Sequence, residues 1–167
     1  ARRLGLRPGE RVLDVGCGTG WSLPRLEASG ARVTGIECSD PMRRQAERRL
    51  RRRGLEETVG LDARPYGTHA GYDGAVDAIL FSYSLSMIPP FEAVLERARR
   101  DLRPGGRVSV VDFLDARGPV GAGLRRSHVH LGPARLEALK ALFPRHRVET
   151  RSLVLWRYFV FVGEPGR

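Results

Sequence analysis

Apolar positions in this chain come in short continuous runs separated by amphipathic stretches, the pattern of a sheet covered on both faces by helices. The runs are Arg11–Val15, Arg32–Ile36, Thr58–Leu61, Val76–Ser82 and Arg107–Phe113, each of strand length. Between them the period lengthens. Trp21–Ser29 places Leu23 and Leu26 on one side of a helix, and Phe91–Leu102 aligns Phe91, Val94, Leu95, Ala98 and Leu102 in one stripe. Asp40-Pro41 opens another helix, with the aspartate predicted as N-cap and the proline in the first turn; it runs to Arg53 and stops at Gly54. Pro104-Gly105-Gly106 predicts a turn into the fifth strand. Asp115–Gly132, rich in Gly and Arg, reads as loop. Pro133–Phe143 reads as a last helix, and Val148–Val154 with Trp156–Val162 as a terminal strand pair. The alternation shows neither a repeat nor a linker, so the expectation is one doubly wound α/β domain over residues 1–167.

Composition narrows the function classes only a little. Formal net charge is +10, and Lys140 is the single lysine among 29 basic residues. An arginine excess of this kind follows genome composition or thermal adaptation as readily as it follows nucleic-acid binding. Cys17 and Cys38 form no disulfide framework and lack the spacing of a zinc site, and no apolar stretch reaches membrane-spanning length. Arg43, Arg44, Arg48, Arg49, Arg51, Arg52 and Arg53 surround the apolar row Met42, Ala46 and Leu50. Two readings stay open for them: the solvated face of a core-packed helix, or attraction to an anionic partner. The absence of aromatic residues from this helix favours a membrane surface over RNA as that partner.

The chemistry concentrates in Val12–Gly20, V-L-D-V-G-C-G-T-G. An apolar strand followed at once by Gly16, Gly18 and Gly20 predicts a sharp turn into a helix, close enough to a ligand for backbone contact, with the helix amides facing an anionic group. The dinucleotide pattern G-x-G-x-x-G is not met, because its last position is Trp21. Acids then stand at successive strand ends. Glu37 lies 21 residues after Gly16, where a carboxylate accepts both hydroxyls of a ribose. Asp62 follows the third strand, where it would accept from an adenine amino group while the Ala63 amide reaches a ring nitrogen. Cys38 and Met42 offer apolar contact to the adenine face, with helix core the competing role for Met42. For Asp14, support of the turn and direct ligand contact both stay open.

The pattern D-x-G-x-G-x-G led by Asp14 resembles motif I of class I S-adenosylmethionine-dependent methyltransferases. The similarity continues through D-A-I-L-F-S-Y-S-L-S-M-I-P (Asp77–Pro89) and L-R-P-G-G-R-V (Leu102–Val108). It implies a seven-stranded, mostly parallel Rossmann-like sheet with an antiparallel terminal strand. It implies S-adenosyl-L-methionine as cofactor, S-adenosyl-L-homocysteine as product, and no metal. The residues it assigns to the cofactor are Asp14, Gly16, Cys17, Gly18, Gly20, Glu37, Cys38, Met42, Asp62, Ala63 and Ser82, with the Gly16–Gly20 turn at the methionine end.

A narrower resemblance concerns the methyl acceptor. Y-S-L-S-M-I-P-P, R-P-G-G-R-V-S-V-V-D-F and H-V-H, followed by an aromatic strand, look like bacterial amino-lipid N-methyltransferases. By that likeness Tyr83, Asp112 and His128 or His130 would face a head-group amine, a carboxylate or imidazole taking its proton. Aromatic faces would stabilise the cationic product. The implied acceptor is a lipid or small-molecule amine, and the implied setting is cytoplasmic, with peripheral contact to an anionic membrane. F-S-Y-S after the fourth strand lacks the N/D-P-P-Y/F box of enzymes that methylate adenine in DNA or glutamine, and nucleic acid is disfavoured. Two departures bear on the lipid reading. Only residues 1–10 precede the first strand, where such enzymes carry a helical lid, and Asp115–Gly132 is short for a lipid-binding cap. The competing functions are O-methylation of a small natural product or quinone, and an RNA-associated protein with a degenerate cofactor site. Oligomeric state is not encoded legibly.

Overall fold

The computed structural model describes residues 5–67 and 71–166. Strands β1 (Arg11–Val15), β2 (Arg32–Ile36), β3 (Val59–Asp62), β4 (Val76–Ser82), β5 (Leu102–Ala116), β6 (Arg145–Ser152) and β7 (Trp156–Glu164) form one sheet in the order β3-β2-β1-β4-β5-β7-β6. β1 to β5 pair in parallel, and β7 runs antiparallel to both β5 and β6. Chain order reverses between β1 and β4, so a crevice opens beyond their carboxyl ends.

Side-chain alternation along the strands divides the core into two layers. Leu13, Val15, Ile79, Phe81, Val108, Val110, Phe159 and Phe161 face helices α3 (Phe91–Asp101) and α5 (Ala134–Leu142), where Val94, Leu95, Ala98, Leu136 and Leu139 complete the packing. Val12, Val33, Ala78 and Leu80 face the other way, toward Leu23 and Leu26 of α1 (Leu23–Glu27) and Leu50 of α2 (Asp40–Arg51). Among the described residues no helix is long and apolar enough to cross a membrane.

Several elements differ from the sequence expectation. Helix α4 (Gly118–Arg126) occupies part of the stretch predicted as loop. β5 begins at Leu102: Val76 pairs with Leu102 and Ala78 already pairs with Arg107, so the expected turn at Pro104-Gly105-Gly106 bulges out of a strand that has already started. Ser39, not Asp40, is the N-cap residue of α2, and Asp40 is instead paired with Arg43. α1 is shorter than predicted, because Trp21 and Ser22 precede its first turn. β6 starts three residues earlier and ends two earlier than its predicted counterpart.

Candidate functional site

The switch point holds a cavity of about 540 Å³, within the size range of small-molecule sites. Its walls come from five places in the chain. The turn after β1 gives Gly16, Cys17 and Gly18; the end of β2 gives Ile36, Glu37, Cys38 and Ser39; α2 gives Met42. The segment after β3 gives Pro65 and Tyr66, and the segment after β4 gives Ser82, Tyr83, Ser84, Met87 and Ile88.

Gly16 has a φ of 70°, and a Cβ placed there would lie 2.5 Å from the Cβ of Ser84. The Ser84 hydroxyl donates to the Val15 carbonyl at 2.6 Å, locking the β4 loop against the β1 turn. The amides of Gly16 and Cys17 both donate to the Ile36 carbonyl, at 2.8 and 3.1 Å, and that of Gly20 donates to the Cys17 carbonyl at 2.9 Å. These amides are therefore occupied within the fold, and α1, at 5 residues, is a short dipole. At Gly16 the turn supplies a wall that admits no side chain. Gly20 lies outside the cavity, against Ala46 of α2, where a Cβ would come within 3.0 Å of the alanine methyl.

Glu37 is buried, and its two oxygens accept from the Gly18 amide at 2.9 Å and the Ser39 amide at 2.8 Å. Each carboxylate oxygen keeps a lone pair for a further donor. Asp14 sits fully buried beneath the turn, outside the cavity lining, and accepts from the Ser22 hydroxyl through Oδ2. Its Oδ1 has no hydrogen-bond partner among the described residues. Burial pushes the carboxyl up to about 6 against the stabilising Ser22 bond, and the nearby Glu37 charge adds to the rise. Cys17 is a buried thiol, pushed well above its ordinary range by burial and by Asp14 and Glu37. Cys38 and Met42 are exposed at the cavity wall, so Met42 is not helix core.

Asp62 and Ala63 do not line the cavity. The Asp62 carboxylate accepts from the Arg64 amide at 2.9 Å and from its guanidinium at 2.8 and 3.1 Å. In their place the chain brings in Pro65 and Tyr66, which are not among the residues expected from the sequence. Tyr66 is held by Asp101 of α3, whose buried carboxylate also accepts from the Tyr72 and Asp73 amides and from Arg97. Burial raises the Asp101 carboxyl, yet the bonds from Arg97 and Tyr66 hold it below its ordinary range. No local pattern marks Tyr66, because its partner lies 35 residues away.

On the acceptor side Tyr83 lines the cavity in a left-handed conformation, φ 56°, with its amide on the Val111 carbonyl at 2.7 Å. Its ring centroid lies 4.9 Å from Phe113 and 6.4 Å from Tyr158. Burial raises its phenol above the ordinary range. Asp112 is fully buried and does not reach the cavity: it accepts from the Ser86 amide at 2.6 Å and the Phe113 amide at 2.8 Å. It thereby ties β5 to the 3-10 turn Leu85–Met87, and burial pushes its carboxyl up. The His130 amide and Nδ1 both donate to the Ser86 carbonyl, at 2.9 and 3.0 Å. His128 is exposed just after α4 with φ 59°, and neither histidine lines the cavity.

The residues present fit a nucleoside-bearing cofactor. The Gly16 wall admits no side chain, Glu37 presents a buried carboxylate at the β2 end, and the remaining lining is largely apolar. Among the described residues no cluster of His, Cys, Asp or Glu is arranged to hold a metal ion.

A family model described as a methyltransferase domain matches residues 12–106, more than half of the chain, and the chain belongs to that family. The family is S-adenosylmethionine-dependent. The chain is 40% identical over 111 residues to the demethylmenaquinone methyltransferase of Beutenbergia cavernae, covering 66% of this chain and 43% of that protein. It is 34% identical over 122 residues to the 27-O-demethylrifamycin SV methyltransferase of Amycolatopsis mediterranei, covering 72% and 45%. The chain thus spans about half the length of the curated relatives it matches. Its fold superposes on Haemonchus contortus phosphoethanolamine N-methyltransferase 2, solved with phosphomonomethylethanolamine and S-adenosylhomocysteine, with a TM-score of 0.83. That match covers 99% of this chain and 51% of the other at 16% identity, a likeness of fold alone.

Proposed function

We propose that this chain binds S-adenosyl-L-methionine at the switch point and directs its methyl group to an apolar acceptor that reacts through an acidic oxygen or carbon, such as a phenol or hydroquinone. When bound, the cofactor supplies an electrophilic sulfonium methyl and leaves as S-adenosyl-L-homocysteine. Glu37 would hold the ribose hydroxyls, Gly16–Gly18 would bound the methionine end, and Met42 and Cys38 would pack on the adenine.

One observation carries the choice of acceptor. Glu37 is the one carboxylate or cationic side chain lining the cavity among the described residues, and it sits on the β2 side. The three groups expected to deprotonate an amine, Asp112, His128 and His130, all lie outside the lining. An ammonium and a phenol lose their protons at similar pH, so the lining discriminates by charge. An apolar wall with no carboxylate on the acceptor side, among the described residues, suits a neutral phenol or hydroquinone better than a cationic ammonium. The relatives named above, which by their names act on a quinone and a rifamycin, support the same reading. A second reading, methyl transfer to a lipid or small amine, is favoured by the Tyr83–Phe113–Tyr158 ring cluster, which suits a cationic product.

Calorimetry with S-adenosyl-L-homocysteine tests the cofactor half of the proposal, with micromolar binding expected. Transfer of labelled methyl from the cofactor is then measured on a hydroquinone, a phenolic polyketide and an amino phospholipid. Label in the first two supports the acidic acceptor; label in the phospholipid alone replaces it with the amine. Absence of cofactor binding with salt-sensitive RNA retention would overturn both.

A further inference from the structure

The hairpin joining β6 to β7 ends in Leu153, Val154 and Leu155, exposed at 51, 96 and 43%. These are three consecutive apolar side chains facing solvent in a turn that is well closed. The Leu153 amide donates to the Trp156 carbonyl at 2.8 Å, and the Arg117 amide donates to the Leu155 carbonyl at 2.9 Å. Their exposure is therefore built into the fold rather than left by a frayed end. Trp156 pairs with Ala116 at the carboxyl end of β5, so the tip projects from the same edge of the sheet onto which the cavity opens.

Charge surrounds the tip in a definite way. Arg117, Arg151 and Arg157 flank it, against two carboxylates, Glu149 and Asp115, which pair with Arg151 and Arg157. Both ion pairs are about half exposed, and a guanidinium with one carboxylate partner retains donors for another anion. The collar is thus net cationic, on a chain of net charge +10.

We infer that this tip is a docking element for an anionic lipid bilayer, with Leu153, Val154 and Leu155 entering the acyl boundary and the flanking arginines at the level of the phosphates. Shape decides between this occupant and a protein. Three side chains on a convex turn fall far short of the roughly 800 Å² per partner of a stable protein interface. A bilayer accepts such a wedge, and its phosphate layer meets the cationic collar. Docking does not depend on the methyl-transfer reading. Where that reading holds, docking turns the cavity edge toward the membrane and makes a bilayer-dissolved molecule the acceptor class.

The test uses the full chain, without cofactor, and vesicles of phosphatidylcholine alone or with one third phosphatidylglycerol. Trp21→Phe leaves Trp156, beside the tip, as the sole tryptophan of the original two. The expected result is co-sedimentation with the anionic vesicles, quenching of Trp156 by acyl-brominated lipid, and a loss of partitioning of about tenfold or more in Leu153→Asp/Val154→Asp. The tip residues are exposed, so this variant should melt as the parent does. Four results would overturn the inference. These are no vesicle binding, binding without quenching, binding removed by Arg48→Glu/Arg52→Glu but untouched by the tip variant, or a dimer that the tip variant dissolves.

Discussion

The two halves of the sheet solve their tasks in different ways. Around β1, β2 and β4 the cavity is fixed by backbone: amides of the turn bond to the Ile36 carbonyl and the Glu37 carboxylate, and Ser84 bonds to Val15. Around β5, β6 and β7 the polar groups serve scaffolding. Asp112 and His130 bind the two sides of Ser86, while ring faces and an apolar hairpin tip remain accessible. A site that must accept one invariant cofactor profits from rigid, short-range geometry. A site whose acceptor differs among relatives is built on a frame that leaves its surface free to vary.

The contrast breaks most severely at Gly16. Gly16→Ala combines a left-handed φ with a methyl 2.5 Å from the Ser84 Cβ. The expected cost is about 4 kcal/mol of stability, or a melting temperature lower by roughly 10 °C, with loss of S-adenosyl-L-homocysteine binding. Thermal denaturation and calorimetry measure the two effects; a variant melting within a degree or two of the parent would show the turn to be soft.

Asp14 sharpens the same comparison through pH. Its carboxyl is moved from 3.8 to about 6 in the fold, so between those values the folded chain keeps a proton that the unfolded chain has lost. Stability from this group therefore falls as pH rises from about 4 to about 6, by about 3 kcal/mol in all. Asp14→Asn cannot titrate. Its stability relative to the parent should increase across that window in urea melts and stay level above it. A constant difference from pH 4 to 7 would mean that Asp14 ionises freely.

Glu37→Ala should weaken cofactor binding by about thirtyfold, the equivalent of about 2 kcal/mol of charge-assisted hydrogen bonds. Glu37→Gln, which keeps one acceptor oxygen, should fall between. Unchanged affinity in both would remove Glu37 from the ribose role and leave it as a clamp on the Gly18 and Ser39 amides.

Legibility in the sequence follows the same division. β1, β2 and β4 match their predicted bounds, since apolar runs flanked by glycine and acid are local signals. Gly16, Gly18, Glu37 and Met42 reach the cavity for the same reason: strand, turn and acid lie within one crossover unit. Helix α4 was illegible because Gly118, Gly121 and Gly123 give it little intrinsic propensity. Gly121 is nonetheless required there, since a Cβ would collide with the Ala116 carbonyl at the end of β5. Tyr66 and Asp101 escaped notice because their bond is set by tertiary structure. Asp112 and His130 carry residue types that suit proton transfer, but which way a side chain is engaged is decided by the partner, and both meet Ser86.

That last point sets the smallest expected effect. His130→Ala removes one side-chain hydrogen bond to the Ser86 carbonyl while the backbone bond to the same carbonyl stays. The carbonyl belongs to the buried Ser86 but keeps its backbone donor, so the cost should be about 1 kcal/mol, a melting temperature lower by roughly 3 °C. Cofactor affinity should not change, because His130 lies outside the cavity lining. If His130 only braces the 3-10 turn, methyl transfer should slow by less than about tenfold, and His130→Gln, whose amide can donate to the same carbonyl, should restore much of it. If it takes a proton from the acceptor, the rate should fall by about a hundredfold or more with glutamine no better than alanine. The structure favours the brace, since His130 lies outside the cavity lining and both its amide and its ring meet the Ser86 carbonyl.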